Sequence, residues 1–138
     1  MSDPGNLGFL TLGSTSSIWL YTHWEGANLP TLARLAITAA QPRWGDPAYA
    51  TRIALAAVAA DYTAPDGWGV DTEPGENEHR ALLIDWEDRT ITLLPDDLTD
   101  SWGELSVNAR IMGLAFAPVA TFAEYLALAP DPVTEAWS

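Results

Sequence analysis

Two imidazoles, His23 and His79, are the only side chains in this chain that ordinarily exchange protons near neutral pH, and each stands among carboxylates. His23 lies in the run Tyr21-Thr22-His23-Trp24-Glu25-Gly26, and His79 follows Asp71, Glu76 and Glu78. Such a set could do acid/base work if burial and neighbours shift its pKa values, or hold a metal if three or four ligands converge. The spacing argues against both. No His-x-x-x-His pair places two ligands on one element, there is no cysteine, and no Gly-x-Ser-x-Gly elbow supplies a nucleophile. No catalytic residue, metal ligand or cofactor is therefore assigned. With Arg43 and Trp44 added, the same histidines and Glu25 could frame a pocket for a nucleotide-like ligand, or a small hydrolase centre, provided that they converge.

Aromatic residues make a second constellation. The chain has seven tryptophans, of which Trp24, Trp44, Trp68 and Trp102 each stand beside a glycine or a turn rather than inside a strand or helix. Loop aromatics are the raw material of binding hot spots and of stacking on bases or sugars, and they also plug the ends of small cores. The candidate ligand or partner surface is accordingly His23, Trp24, Glu25, Arg43, Trp44, Trp68, Glu76, Glu78 and His79. The run Gly13-Ser14-Thr15-Ser16-Ser17 lacks the Gly-Lys-Ser/Thr ending of a phosphate loop and precedes a strand, so it is a turn.

The elements that must position these residues follow from periodicity. Asn6–Leu12 reads as a first strand, turning at residues 13–15 into Ser16–Gly26, the best strand former in the chain and the expected central strand. Ile18, Leu20 and Trp24 fall on one of its faces and Trp19 and Tyr21 on the other, so both faces require cover. Asn28, as N-cap, and Pro30 start a helix with Leu32, Leu35, Ala36 and Ala39 at helical spacing, ended by Pro42. Asp46-Pro47 starts a second, whose inward stripe reads Tyr49, Ile53, Ala57 and Ala60. Leu55 and Val58 lie off that stripe. The helix is apolar nearly all round, and that pattern predicts a homodimer through its outer face. Strands are expected at Trp68–Thr72, Ala81–Trp86 and Thr90–Leu94, the last two closed near Glu87-Asp88. Ser101–Glu104 and Thr121–Glu124 have the form of capping boxes, the second opening a helix ended by Pro130. The order β-β-α-α-β-β-β-α predicts an α+β fold: a largely antiparallel sheet of about five strands, a helix pair after the second strand and a C-terminal helix. One domain is expected over residues 1–138, with residues 1–5 and 130–138 as loose ends.

Charge is distributed unevenly. Formal net charge is −13, yet Asp3, Glu25 and Asp46 balance Arg34, Arg43 and Arg52 in residues 1–60, so residues 61–138 hold the whole excess. Carboxylates are densest from Asp61 to Glu104. Such a surface repels nucleic acid and anionic lipid and attracts basic proteins. No apolar run approaches the roughly 20 residues of a membrane span, and residues 1–8 lack a leader pattern, so a cytoplasmic protein is expected.

Tyr21-Thr22-His23-Trp24-Glu25-Gly26, Arg43-Trp44-Gly45-Asp46-Pro47, Gly67-Trp68-Gly69-Val70 and Thr121-Phe122-Ala123-Glu124-Tyr125-Leu126 together resemble small bacteriophage proteins of actinobacterial type. Those proteins begin with a strand ending in His-Trp/Phe-Asp/Glu-Gly. The resemblance spans roughly residues 16–128 and implies a viral setting and a host-cell location, with no catalytic residues to carry over. The reading that combines charge and motifs is a non-catalytic, acidic viral accessory protein. It would bind a host protein with a basic surface and would contact neither nucleic acid nor membrane. The alternatives are the ligand binder or hydrolase on His23 and His79, and a DNA mimic whose carboxylates stand in for phosphates.

Overall fold

The computed structural model describes residues 3–11, 16–61, 67–72, 75, 79–94 and 120–127. Six strands, β1 Gly5–Thr11, β2 Ser16–Thr22, β3 Trp68–Asp71, β4 Leu82–Asp85, β5 Thr90–Leu93 and β6 Ala120–Thr121, form one open sheet in the order β3-β2-β1-β4-β5-β6. Every neighbouring pair is antiparallel except β1 and β4. Helices α1 Leu29–Ala39 and α2 Pro47–Asp61 follow β2, and α3 Phe122–Ala127 follows β6. The fold is thus α+β and mostly antiparallel, as the sequence predicts, with β6 as an added sixth strand.

The middle of the sheet is not β2 but β1, which lies between β2 and the parallel β4. Its glycines and Asn6 lower its apparent strand propensity, while Leu7, Phe9 and Leu10 supply buried side chains on both of its faces. Alternation in β2 holds. Leu20 joins the core beneath the helices and Trp19 is buried with Leu10, Ala81, Leu83 and Leu94 on the other face. Trp24 lies beyond the end of the strand and is 48% exposed.

Helices α1 and α2 cover one face through Leu32, Ala33, Ala36 and Ile37 of the first and Ala50, Ala54 and Val58 of the second. The inward stripe of α2 is therefore rotated from the expected one. Tyr49 and Ala60 face solvent, and Val58 is only 1% exposed. The reason is close approach: alanines at four-residue spacing let the helix lie against α1 and the sheet, while the bulky Tyr49 ring stays outside. Val58 is inside and Leu55 is half-buried against the core, so the two side chains expected to make an outer homodimer face pack inward.

Local chemistry explains the helix ends. The Asp46 carboxylate accepts the Tyr49 N–H at 3.3 Å, so it caps α2 as the sequence indicates. Asn28 does not cap α1. A single 3-10 turn, Gly26–Asn28, runs straight into the helix, and the Asn28 amide donates instead to Glu25. At α3 the box is reciprocal: the Glu124 N–H donates to Thr121 Oγ1 at 3.1 Å and the Thr121 N–H to Glu124 Oε1 at 3.0 Å. Arg34 of α1 then donates to the Tyr125 and Leu126 carbonyls, and the Tyr125 hydroxyl to the Pro30 carbonyl, clamping α3 onto α1. Burial pushes the Tyr125 phenol well above its ordinary pKa, which keeps it a neutral donor.

An aromatic chain runs through the core. Phe9 stacks on Trp86 at 6.0 Å, Trp86 meets Phe122 edge-on at 5.6 Å, and Phe122 meets Trp44 at 5.0 Å. Each such pair contributes about 0.5–1.5 kcal/mol beyond the area it buries. The buried Trp86 N–H donates to Thr51 Oγ1 at 2.9 Å, and the Thr51 hydroxyl to the Pro47 carbonyl at 2.8 Å, so that indole has its polar partner.

Candidate functional site

Strand registers divide the candidate residues between two ends of the sheet. Gly5 pairs with Thr22 and Thr22 with Trp68, so His23, Trp24, Glu25 and Trp68 lie where β1 begins. His79 precedes β4, which runs parallel to β1, and so joins them. This is the near end.

Its geometry is built around Asp3. The Asp3 N–H donates to the His23 carbonyl at 2.7 Å, and its own carbonyl accepts the Gly26 N–H at 2.8 Å. Its carboxylate accepts from the Ala27 N–H at 2.9 Å and from His79 Nε2 at 2.6 Å. The His79 bond, then the Ala27 N–H, hold the Asp3 carboxyl below its ordinary pKa, with slight burial opposing them. Residues 3–5, expected to be loose, are thus fastened at four points. Gly26 makes the arrangement fit, because a Cβ there would stand 2.5 Å from the Asp3 carbonyl oxygen and 2.7 Å from His79 Cδ2.

His23 is held separately. Its Nδ1 shares a 2.8 Å hydrogen bond with the Tyr21 hydroxyl, its N–H donates to the Gly67 carbonyl at 2.7 Å, and its ring meets Trp24 edge-on at 4.4 Å. Gly67 has a φ of +85° and lies against the Trp24 indole, a position that admits no side chain. The Glu25 N–H donates to Thr22 Oγ1 at 3.0 Å. Trp68 is half-buried against the main core. The Asn6 amide, a buried polar group, both donates to and accepts from the Gly75 backbone, at 3.3 and 2.9 Å.

Arg43 and Trp44 lie at the far end. Trp44 packs on Phe122, whose N–H donates to the carbonyl of Arg89 in the β4–β5 turn, and β4 there pairs with the last turn-ward residues of β1. The two ends are separated by the length of β1, about 20 Å at the usual rise of a strand. The five residues His23, Glu25, Arg43, Trp44 and His79, which a shared pocket or hydrolase centre would need together, therefore do not converge: the first two and His79 lie at one end of β1, and Arg43 and Trp44 at the other. Glu76 and Glu78 lie outside the described residues, as do Trp102 and most of the carboxylates between Asp61 and Glu104.

No family model matches the chain, and neither a curated protein nor a solved structure matches it.

Chemically, the near end is a fastening. An Asp–His pair can orient an imidazole for proton transfer, but here the Asp3 carboxylate is shared between His79 Nε2 and the Ala27 N–H, which ties down the chain. Among the described residues no three His, Asp or Glu side chains gather closely enough to hold a metal. Also among them, no helix is long and apolar enough to cross a membrane. Three participants escaped sequence reasoning: Asp3, Tyr21 and Asn6. Only Tyr21, two residues from His23 on one face of a strand, carried a readable signal.

Proposed function

We propose that the protein is a non-catalytic, acidic accessory protein that binds and modulates a host protein through the carboxylates of residues 61–138. One observation supports the reading: exposed carboxylates of this half that the structure describes stand without an arginine. Asp71, Glu87 and Asp88 are exposed, and none has an arginine partner among the described residues. The arginines serve elsewhere. Arg80 donates to the Leu94 carbonyl and Arg34 to those of α3, while Arg43 and Arg52 lie over Tyr49 and Arg89 over Trp44. Unpaired surface carboxylates contribute little to folding, and they raise the encounter rate with a basic partner. The viral setting rests on the resemblance of the sequence motifs alone.

The test is affinity capture from an actinobacterial host lysate at low and high salt, repeated with Asp71→Asn/Asp88→Asn. A basic partner retained at low salt, released at high salt and weakened by the double variant supports docking. Absence of a partner at either salt overturns it. Competition by duplex DNA for the same partner would convert simple docking into DNA mimicry.

A further inference from the structure

Among the described residues the sheet ends on one side at β3. The His23 N–H donates to the Gly67 carbonyl, and bonded and non-bonded pairs alternate along antiparallel strands, so Tyr21–Gly69 and Trp19–Asp71 are the bonded pairs of this register. Val70 therefore turns its N–H and carbonyl away from β2, and no strand among the described residues lies beyond to receive them. Its side chain is 59% exposed. At the head of β3 the Trp24 indole lies against Gly67, is itself exposed, and gives its N–H to no partner among the described residues. The opposite edge is blunted: β6 has two residues and runs at once into α3.

Outward backbone groups on an edge strand are a template for one more strand, and a segment that docks there is held by main-chain hydrogen bonds and read on alternate faces by its side chains. The two faces of β3 differ. Val70 pairs with Leu20 and shares its helix-covered face, while Asp71 pairs with Trp19 on the opposite one. An added strand thus meets an apolar side chain on one face and a carboxylate on the other. The Thr72 N–H donates to Asp71 Oδ1 at 2.6 Å, which leaves Oδ2 for a cation. The sequence on either side of the strand carries the same sign: residues 61–78 contain Asp61, Asp66, Asp71, Glu73, Glu76 and Glu78 and no lysine or arginine. Such charge attracts a cationic segment and opposes edge-to-edge pairing of two copies of this chain.

We propose that the outer edge of β3 is where a basic partner is held, through an extended segment of alternating apolar and cationic residues that joins the sheet as a further strand. The Val70 N–H and carbonyl bond its main chain, its apolar residues lie on the Val70 face, and its lysines or arginines lie on the Asp71 face. The exposed Trp24 indole adds apolar area at the Gly67 end. This inference rests on the docking of a basic partner proposed above and says how that partner is gripped.

Titration of the isotope-labelled full chain at low ionic strength with the blocked peptide Val-Lys-Val-Lys-Val-Lys-Val, and with its glutamate counterpart, tests it by amide resonance shifts. The lysine peptide is expected to saturate with a Kd of about 1 mM or tighter, at least about tenfold below that of the glutamate peptide. Shifts should centre on Gly69–Thr72 and the Trp24 indole N–H, and exchange of the Val70 amide should slow. Val70→Pro removes a donor that β2 does not use, so the strand should stay in place while the peptide binds roughly three- to tenfold more weakly. Should that variant melt well below wild type, Val70→Lys, which keeps the backbone and sets a like charge against the peptide, carries the same expectation. The proposal is overturned by no saturable binding at millimolar concentration, by shifts that leave β3 untouched, by wild-type affinity in a folded Val70 variant, or by self-association through β3 in place of peptide binding. A basic partner still captured from lysate through Asp71 and Asp88 in any of those cases would leave docking standing and remove strand addition alone.

Discussion

The two ends of the sheet use polar groups in opposite ways. At the near end, Asp3 forms four hydrogen bonds, both imidazoles have partners, and even glycine backbones are gripped, as Gly75 is by Asn6. At the far end, three arginines rest on aromatic rings and Glu87 lines an open cleft. The residues that look most chemical in the sequence are thus those that hold the structure together. Groups whose bonding capacity is filled from within stabilise the fold, whereas groups left with unused donors and acceptors are the ones a ligand can reach.

The largest expected effect separates two glycines. Gly26→Ala would drive a methyl group into the Asp3 and Pro4 carbonyl oxygens at 2.5 and 2.7 Å, both backbone atoms, the first of them held by the Gly26 N–H. The cost should be about 2–3 kcal/mol. Gly45→Ala, at the far end, meets nothing within 4 Å and should change stability by less than about 0.5 kcal/mol. Urea denaturation of both variants measures the difference. Equal losses would show that the near end is no more tightly determined than the far one.

Next comes Asp3, whose carboxyl is held below its ordinary value of 3.8 by His79 first and the Ala27 N–H second. A carboxylate whose pKa folding lowers lends stability above its unfolded pKa, and that stability is lost as pH falls through the lowered folded value. Asp3→Asn should therefore destabilise the protein by on the order of 1 kcal/mol at neutral pH, since these bonds are partly exposed. The difference from wild type should persist down to about pH 4 and vanish below it as Asp3 itself takes up a proton. Melting temperatures from pH 7 to pH 2 follow it. A gap that stays constant to pH 2 would mean that the ion pair contributes nothing.

Most of the fold was legible in the sequence because its signals are local. Asp46-Pro47 starts α2, Thr121–Glu124 closes its capping box, and Trp19 and Leu20 go to opposite faces as period two requires. What escaped depends on distance in the chain. The central place of β1 follows from parallel pairing with β4, some 75 residues away, and the rotation of α2 follows from how closely its alanines let it approach. The site was half legible. His23, Trp24, Glu25, Trp68 and His79 do gather at one end, but Asp3, which links the two histidine segments, lies in a stretch with no periodic pattern. At the far end, Tyr49 was expected in the inward stripe of α2 and stands outside beside Arg52, while Arg43, Glu87 and Arg89 are brought there by the β4–β5 turn and the α1–α2 connection.

The smallest expected effect belongs to the capping box of α3. Thr121→Ala removes the hydroxyl that accepts the Glu124 N–H at 3.1 Å and leaves Glu124 without one of the two contacts that lower its carboxyl pKa. Caps of this kind contribute about 0.5–2 kcal/mol. The low end applies here, because α3 is also clamped by Arg34 on its carbonyls and by the Tyr125 hydroxyl on Pro30, neither of which passes through Thr121. The helix should therefore persist with its first turn loosened. Amide exchange should quicken at Glu124 and Tyr125 while Ala27, bonded to Asp3 at the near end, keeps its wild-type rate. Thr121→Ser, which retains the acceptor, should restore the slow exchange. A global loss as large as that of Gly26→Ala would show that this end, too, is over-determined, and would leave its unpaired arginines as the only feature that distinguishes it.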